Sequence, residues 1–377
     1  MKLRLHKCLT LVLAAGLAAS VAAKEIGTSK PERQGYSSER LERITEFMNA
    51  KVEDGTMVGG MGVIARNGKI IYQQSYGMAD RETGRVMEDD AIYRIYSMSK
   101  PITGVALMML YEEGKFRLND PIAMYMPEFA NLQVATSTAG TNIVSDGTTS
   151  RTVGAGDESL VGQWRKPTRQ PTIRDLLLHT AGMTYGVFGN TEVDQLYRKA
   201  GLLGDTTLAE FTKALGQLPL QYDPGAQWHY SVSVDVQGRL VEVLSGMSFG
   251  EFLKQRIFEP LDMPDTDFQV NDSNKDRLAQ LYKPEGVQAN NFFSPATGKG
   301  LEVADAFVSA RYIYGGKFES GGGGLVSTAR DYLRFCQMLL NGGELDGVRI
   351  LSPKTIELMT TNHLGDLPMG FGGGGSG

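Results

Sequence analysis

Apolar residues recur three and four positions apart from Ser38 to Val52, with Leu41, Ile44 and Met48 on one face, and this spacing predicts an amphipathic helix. Strand-like runs follow at Met57 to Ala65 and Lys69 to Tyr76, with Asn67-Gly68 between them. Asn-Gly tolerates the positive φ angles of a type I′ turn, so the pair predicts a β-hairpin. Ser97 to Gly114 returns to the helical period, placing Ile102, Ala106 and Met109 on one stripe and Gly114 as the stop. Asn131 to Pro171 is polar and rich in Thr, Ser and Gly, and reads as irregular surface structure. Helical patterning resumes at Ile173 to Leu178 with His179, and at Val234 to Leu244 bounded by Gly246. Ser327 is expected to cap a helix through Leu340, ended by Gly342-Gly343, and Ser352-Pro353 opens another to about Met359. Helices dominate the middle, whereas the sheet signal is N-terminal.

The first residues do not belong to that pattern. Lys2, Arg4 and Lys7 precede an apolar run from Cys8 to Ala19, followed by the small residues Ser20, Ala22 and Ala23. A positive segment, an apolar segment and a small-residue exit predict a secretory signal peptide over 1–23, with a mature domain over 24–377. The apolar run falls short of the roughly 20 residues that span a bilayer, so no stable membrane span is expected after its removal. The mature chain is expected to be exported, periplasmic or secreted. It keeps Cys336 alone, and a single thiol forms no internal disulfide, so packing must hold the fold.

Composition narrows the partners. The chain carries 38 basic and 43 acidic residues, a net charge of −5, and loss of the signal segment makes it more acidic. That balance argues against nucleic acid as a partner. No HExxH, paired CxxC or strand-linked Gly-x-Gly-x-x-Gly occurs, so neither metal nor dinucleotide cofactor is expected.

The sharpest chemical feature is Ser97-Met98-Ser99-Lys100. Residues three apart on a helix share a face, so Ser97 Oγ and Lys100 Nζ can meet. Serine is a poor nucleophile until a neighbour takes its proton, and a desolvated lysine can be the neutral amine that does so. The backbone N–H of Ser97 at a helix N-terminus would favour a developing oxyanion. Taken alone, the four residues read more simply as a helix cap and a solvated lysine, since Ser-x-x-Lys arises often by chance.

Their setting adds specificity. The stretch Tyr96 to Gly104 is followed by Leu118 to Ile122, then Asp175-Leu176-Leu177-Leu178-His179-Thr180-Ala181-Gly182-Met183. Trp228-His229-Tyr230-Ser231, Pro260-Leu261-Asp262-Met263 and Gly323-Gly324-Leu325-Val326-Ser327-Thr328-Ala329-Arg330-Asp331-Tyr332 complete the series. In order and spacing these resemble the beta-lactamase-related serine hydrolases, which include class C beta-lactamases, D-Ala-D-Ala carboxypeptidases and family VIII carboxylesterases. The resemblance runs from about Tyr36 to Phe371. It implies an α/β fold of the serine beta-lactamase and transpeptidase type. An antiparallel sheet would be flanked by helices, beside a helical lobe over about 92–318.

The resemblance also assigns roles. Ser97 becomes the acylated nucleophile, Lys100 its proton acceptor, and Tyr230 a relay to the leaving group and then to water. The substrate would be a small-molecule ester or lactam. The second motif of lactamases and peptidases reads Tyr-x-Asn, but the third position here is Val232, which cannot bind a substrate amide. This departure matches the esterase branch, so a carboxylesterase leads, with lactamase or carboxypeptidase and an inactive penicillin-binding relative as alternatives. Val232 is an expected substrate contact, and His229 is read first as a packed structural residue and second as a substrate contact. The family's third motif and last sheet strands, with the second oxyanion donor, have no counterpart before Gly377, which reads as a C-terminally incomplete domain. The final glycine run reads alternatively as a natural loop or a linker.

Gly246-Met247-Ser248-Phe249-Gly250 matches the Gly-x-Ser-x-Gly signature, with Asp346 and His363 as conceivable partners. A helix precedes it instead of a strand, so Gly246 is read as a helix cap and Ser248 as the next helix start. His179 is expected to hold a loop and Cys336 to be a core thiol. Gly321 to Gly324 is read as a tight loop without the Lys-Ser or Lys-Thr of a phosphate site.

Overall fold

The structure, a computed structural model, describes residues 25–136, 142–145, 150–153, 162–287, 300–304 and 306–369. The expected signal peptide and the terminal glycine run lie outside these residues. Helix α1 (Ser38–Glu53) packs against a three-stranded antiparallel sheet of β1 (Gly59–Arg66), β2 (Lys69–Asp80) and β3 (Arg85–Val86), in that order. Pairing runs from Gly59 opposite Gly77 to Arg66 opposite Lys69. Asn67 and Gly68 close the hairpin with φ of 49° and 69°, the positive pair that a type I′ turn requires.

Two-residue strands β4 (Tyr93–Arg94) and β5 (Val326–Ser327) pair with each other and bring the chain to α2 (Ser99–Glu112). Strands this short carry no alternation, so hydropathy does not announce them. Further helices are α3 (Ile173–Leu178), α4 (Glu192–Ala200), α5 (Leu208–Leu215), α6 (Ser233–Ser245), α7 (Phe249–Leu253), α8 (Ala306–Tyr314), α9 (Ala329–Leu340) and α10 (Pro353–Thr360). Helix α2 is central and is apolar on nearly all sides; Ile102, Val105, Ala106 and Leu107 are fully buried. A helix that is apolar all round belongs inside a protein, and α6 is its main neighbour.

Three boundaries differ from expectation. Helix α2 starts at Ser99, because Tyr96 (φ 43°) is left-handed and Tyr96–Met98 forms a separate 3₁₀ turn. Thr328 caps α9 in place of Ser327, which is committed to pairing with Tyr93. The polar stretch after Asn131 is partly regular: Val134–Ala135 pairs with Trp164–Arg165, and Asn142–Ser145 with Ser150–Val153. Cys336 is half-buried and not fully in the core, and burial pushes its thiol up. Among the described residues no helix is long and apolar enough to cross a membrane.

Candidate active site

The site is built where α2 begins. Tyr96 turns the chain left-handed immediately before Ser97, a conformation uncommon for a bulky residue, and Ser97 emerges exposed at the helix mouth. The next turn is tied down from the opposite side. The Ser99 hydroxyl accepts from the Leu325 N–H at 3.2 Å, and the Thr103 hydroxyl donates to the Gly321 carbonyl at 2.9 Å. Between them, Lys100 Nζ donates to the Gly322 carbonyl at 2.6 Å.

Close approach of this loop to α2 and α6 explains two glycines that hydropathy leaves unexplained. A Cβ on Gly321 would lie 2.6 Å from the Val234 carbonyl oxygen. One on Gly322 would lie 2.7 Å from the Tyr185 hydroxyl and 2.8 Å from Asp235 Oδ2. Neither gap admits a side chain, so the Gly321–Gly324 run serves backbone approach to the site.

Ser97, Lys100 and Tyr230 converge. Lys100 Nζ is 3.1 Å from Ser97 Oγ, and Ser97 Oγ is 2.7 Å from the Tyr230 hydroxyl. The lysine nitrogen also lies over two aromatic rings, 4.5 Å from the centroid of Tyr230 and 5.5 Å from that of Tyr185. Contact with these ring faces packs the side chain without consuming its hydrogen bonds.

Tyr230 is itself held by an aromatic shell. Its ring lies 5.0 Å from His179, 5.3 Å from Tyr185, 5.8 Å from Phe188 and 6.2 Å from Trp228. His179 follows α3 in the left-handed region, with φ 55°. Its carbonyl accepts from the His229 N–H at 2.8 Å, and its Nδ1 accepts from the Ser231 N–H at 3.3 Å. Tyr230 is therefore bracketed by two bonds to one histidine. Burial, with added repulsion from Lys100 and His229, lowers His179 to about 3. A neutral imidazole with a free Nδ1 lone pair fits that acceptor role. Burial also raises the Tyr185 phenol well above its ordinary value, helped by Asp235 and Tyr230.

Of the two residues weighed as substrate contacts, Val232 is turned away from this surface and His229 is packed beside Tyr222. Val232 is 1% exposed and sits in the hydrophobic core, because its position at the start of α6 turns the side chain inward. His229 packs edge-on to Tyr222, and its Nε2 is 3.4 Å from the buried Thr184 hydroxyl. Burial holds its pKa below the ordinary value. Tyr185, Phe188 and Trp228 line Tyr230 instead. Trp228 belongs to the Trp228-His229-Tyr230-Ser231 motif of the sequence, whereas nothing local marks Tyr185 or Phe188.

The rival Gly-x-Ser-x-Gly residues are engaged elsewhere. Ser248 caps α7, accepting from the Glu251 N–H at 3.2 Å, and Gly246 closes α6 with φ 74°. His363 Nε2 is 2.7 Å from the Leu358 carbonyl, and Asp346 pairs with Arg334 at 2.7 Å. Among the described residues no cluster of His, Cys, Asp and Glu has the arrangement of a metal site.

Similar proteins set this geometry in context. A family model described as Beta-lactamase matches residues 44–374. An uncharacterized protein of Mycobacterium tuberculosis is 32% identical over 314 residues, covering 83% of this chain and 69% of that protein. Esterase EstB of Burkholderia gladioli is 29% identical over 298 residues, covering 78% of this chain and 68% of the esterase. Among solved structures, EstCE1, a hydrolase with promiscuous acyltransferase activity, superposes with a TM-score of 0.62 at 26% identity, covering 84% of this chain and 76% of that one. The α/β architecture is thus the serine beta-lactamase and transpeptidase fold. With the match extending over most of its length, and a relative above 30% identity, the chain belongs to the beta-lactamase family of hydrolase folds.

Proposed function

We propose that the protein is a serine hydrolase that works through an acyl-serine intermediate, with small carboxylic esters as its substrates. The observation that carries this reading is the position of Ser97 Oγ, within hydrogen-bond distance of both Lys100 Nζ and the Tyr230 hydroxyl. A nucleophile in contact with two proton-handling groups has the arrangement that activated-serine catalysis needs.

The steps follow from that arrangement. Lys100 Nζ takes the Ser97 proton as Oγ attacks the ester carbonyl carbon, forming the Oγ–C bond. The Ser97 N–H faces the developing oxyanion. Collapse breaks the bond between carbonyl carbon and alcohol oxygen, and the proton passes through Tyr230 to the departing alcohol. Water then attacks the acyl carbon, passing one proton through Tyr230 to Lys100; collapse breaks the Oγ–C bond, that proton returns to Ser97 Oγ, and the carboxylic acid leaves.

Ester preference is supported by Val232 at the third motif position, where an amide-binding Asn is absent, and by the likeness to esterase EstB. Lactamase and D-Ala-D-Ala carboxypeptidase chemistry share the same acyl-enzyme, so they remain the second reading. Hydrolysis of p-nitrophenyl butyrate should be measured against that of a chromogenic cephalosporin. Faster ester turnover that vanishes in Ser97→Ala supports the esterase; faster cephalosporin turnover shifts the assignment to the lactamase branch. No Ser97-dependent turnover of either substrate by the folded protein would favour the binding relative. Export is proposed from the basic, apolar and small-residue pattern over 1–23. Fractionation of an expressing bacterial cell, with N-terminal sequencing, should find a shortened chain outside the cytoplasm; a full-length cytoplasmic chain contradicts it.

A further inference from the structure

Asp235 is a titratable group that the steps above do not use. It lies on α6, five residues after Tyr230, and is wholly buried. Its Oδ1 accepts from the Ser320 hydroxyl at 2.5 Å and from the Gly322 N–H at 3.0 Å. Its Oδ2 has no hydrogen-bond partner among the described residues, and a Cβ on Gly322 would lie 2.8 Å from it and 2.7 Å from the Tyr185 hydroxyl. A buried carboxyl with one idle oxygen is a poor choice for stability alone, because an unmet polar atom is destabilising. Its contacts lead directly to Lys100. Gly322, held by Asp235 through its N–H, gives its carbonyl to Lys100 Nζ.

We propose that Asp235 is a positioning residue for Lys100, holding the Ser320–Gly322 turn so that the Gly322 carbonyl fixes the direction of the amine. The inference rests on the reading of Lys100 as the proton acceptor for Ser97. A neutral amine still has N–H bonds. With one of them donated to Gly322, its lone pair is free to face Ser97. Without that anchor the flexible four-carbon stem samples many orientations, and few of them present the lone pair. Thr103 of α2 holds the adjacent Gly321 carbonyl, so the turn is pinned from both helices that carry the site.

Asp235 acts here through its accepting oxygen. Burial raises its carboxyl above the ordinary value, against the hydrogen bonds of Ser320 and Gly322 and the nearby Lys100. The groups facing this pair are Tyr185 beside Asp235, with His179 and Tyr230 beside Lys100. Asparagine at 235 keeps the accepting oxygen and nearly the same shape.

The test compares Asp235→Ala with Asp235→Asn in the full chain, by steady-state hydrolysis of p-nitrophenyl butyrate and by NMR of isotope-labelled lysine side chains. The Lys100 signal is assigned by its loss in Lys100→Arg. Asp235→Ala should lower kcat about 10- to 100-fold with KM little changed. It should also move the Lys100 side-chain signal toward that of a mobile lysine, and Asp235→Asn should restore most of both. If Asp235→Ala does not fold, Ser320→Ala, which removes one of the two bonds, should move the Lys100 signal the same way by less. A folded Asp235→Ala or Ser320→Ala with an unmoved Lys100 signal overturns the proposal. So does an Asp235→Asn as impaired as the alanine variant, which would assign the effect to charge. The NMR comparison needs no turnover, so an inactive wild type would defeat the esterase reading while still deciding this one.

Discussion

At the scale of single residues, three hydroxyl and amine groups meet at one point, and each contact can be removed separately. Tyr230→Phe deletes only the hydroxyl 2.7 Å from Ser97 Oγ and leaves the ring in its aromatic shell. Loss of a positioned acid-base group is expected to lower kcat about 10²- to 10⁴-fold, with thermal stability nearly unchanged, as measured by ester hydrolysis alongside a melting curve. His179 supplies a prediction of a different kind. Its folded pKa of about 3 lies below its ordinary value of 6.5, so the unfolded chain binds the extra proton. Stability from this group is therefore complete above pH 6.5 and is lost as pH falls from 6.5 toward 3. The slope is about 1.4 kcal/mol per pH unit where the unfolded histidine is charged and the folded one is not. Asparagine tolerates the left-handed backbone at 179, so the His179→Asn variant should keep the turn while flattening that acid slope in urea titrations. An unchanged slope would show that the ring is not held neutral.

At the scale of elements, the site depends on how α2, α3 and α6 are fixed. Leu107 on α2 is fully buried, and Leu107→Ala should destabilise by about 2–5 kcal/mol through the cavity it leaves, read from denaturant midpoints. Helix α3 opens with a capping box. The Thr172 hydroxyl accepts from the Asp175 N–H, and the Asp175 carboxylate accepts back from the Thr172 N–H at 2.8 Å. Although burial alone would raise Asp175, bonds from Arg169, Thr172 and Thr180 hold it below the ordinary carboxylate range. Thr172→Ser keeps the cap and should be nearly neutral, whereas Thr172→Ala should lose about 1 kcal/mol.

Much of this level was legible beforehand. The Asn67-Gly68 turn, the Gly246 stop, and the Ser248 and Ser352 caps are local signals that local physics satisfies. The start of α2 was not legible, because nothing local marks Tyr96, just after the strand Tyr93–Arg94, as left-handed. Nor did spacing reveal that Val232 would turn inward while Tyr230, two residues earlier, faces Ser97.

At the scale of the whole molecule, one hydrophobic core runs from Ile95 on the approach to α2 through α3–α7 to Ile356 of α10. Contacts that join Ser97 to Tyr230 and Lys100 to Gly322 span 133 and 222 residues of chain, so the site exists only when this core is formed. Catalytic competence should therefore be lost in the same urea range as the Trp164 and Trp228 fluorescence and far-ultraviolet signals, since a shared core unfolds together. Motif order in the sequence indicated which residues would meet. The long-range supports, Asp235, Gly322 and Tyr185, became visible only once α2 and α6 were packed side by side.

The central claim is that Ser97 becomes acylated, and covalent labelling tests it most directly. The protein is treated with a fluorophosphonate probe, with and without competing p-nitrophenyl butyrate, and the adduct is located by peptide mass spectrometry. The account predicts one probe adduct on the peptide holding Ser97, protected by the ester and absent in Ser97→Ala. An adduct on Ser248, or labelling that survives Ser97→Ala unchanged, would contradict it.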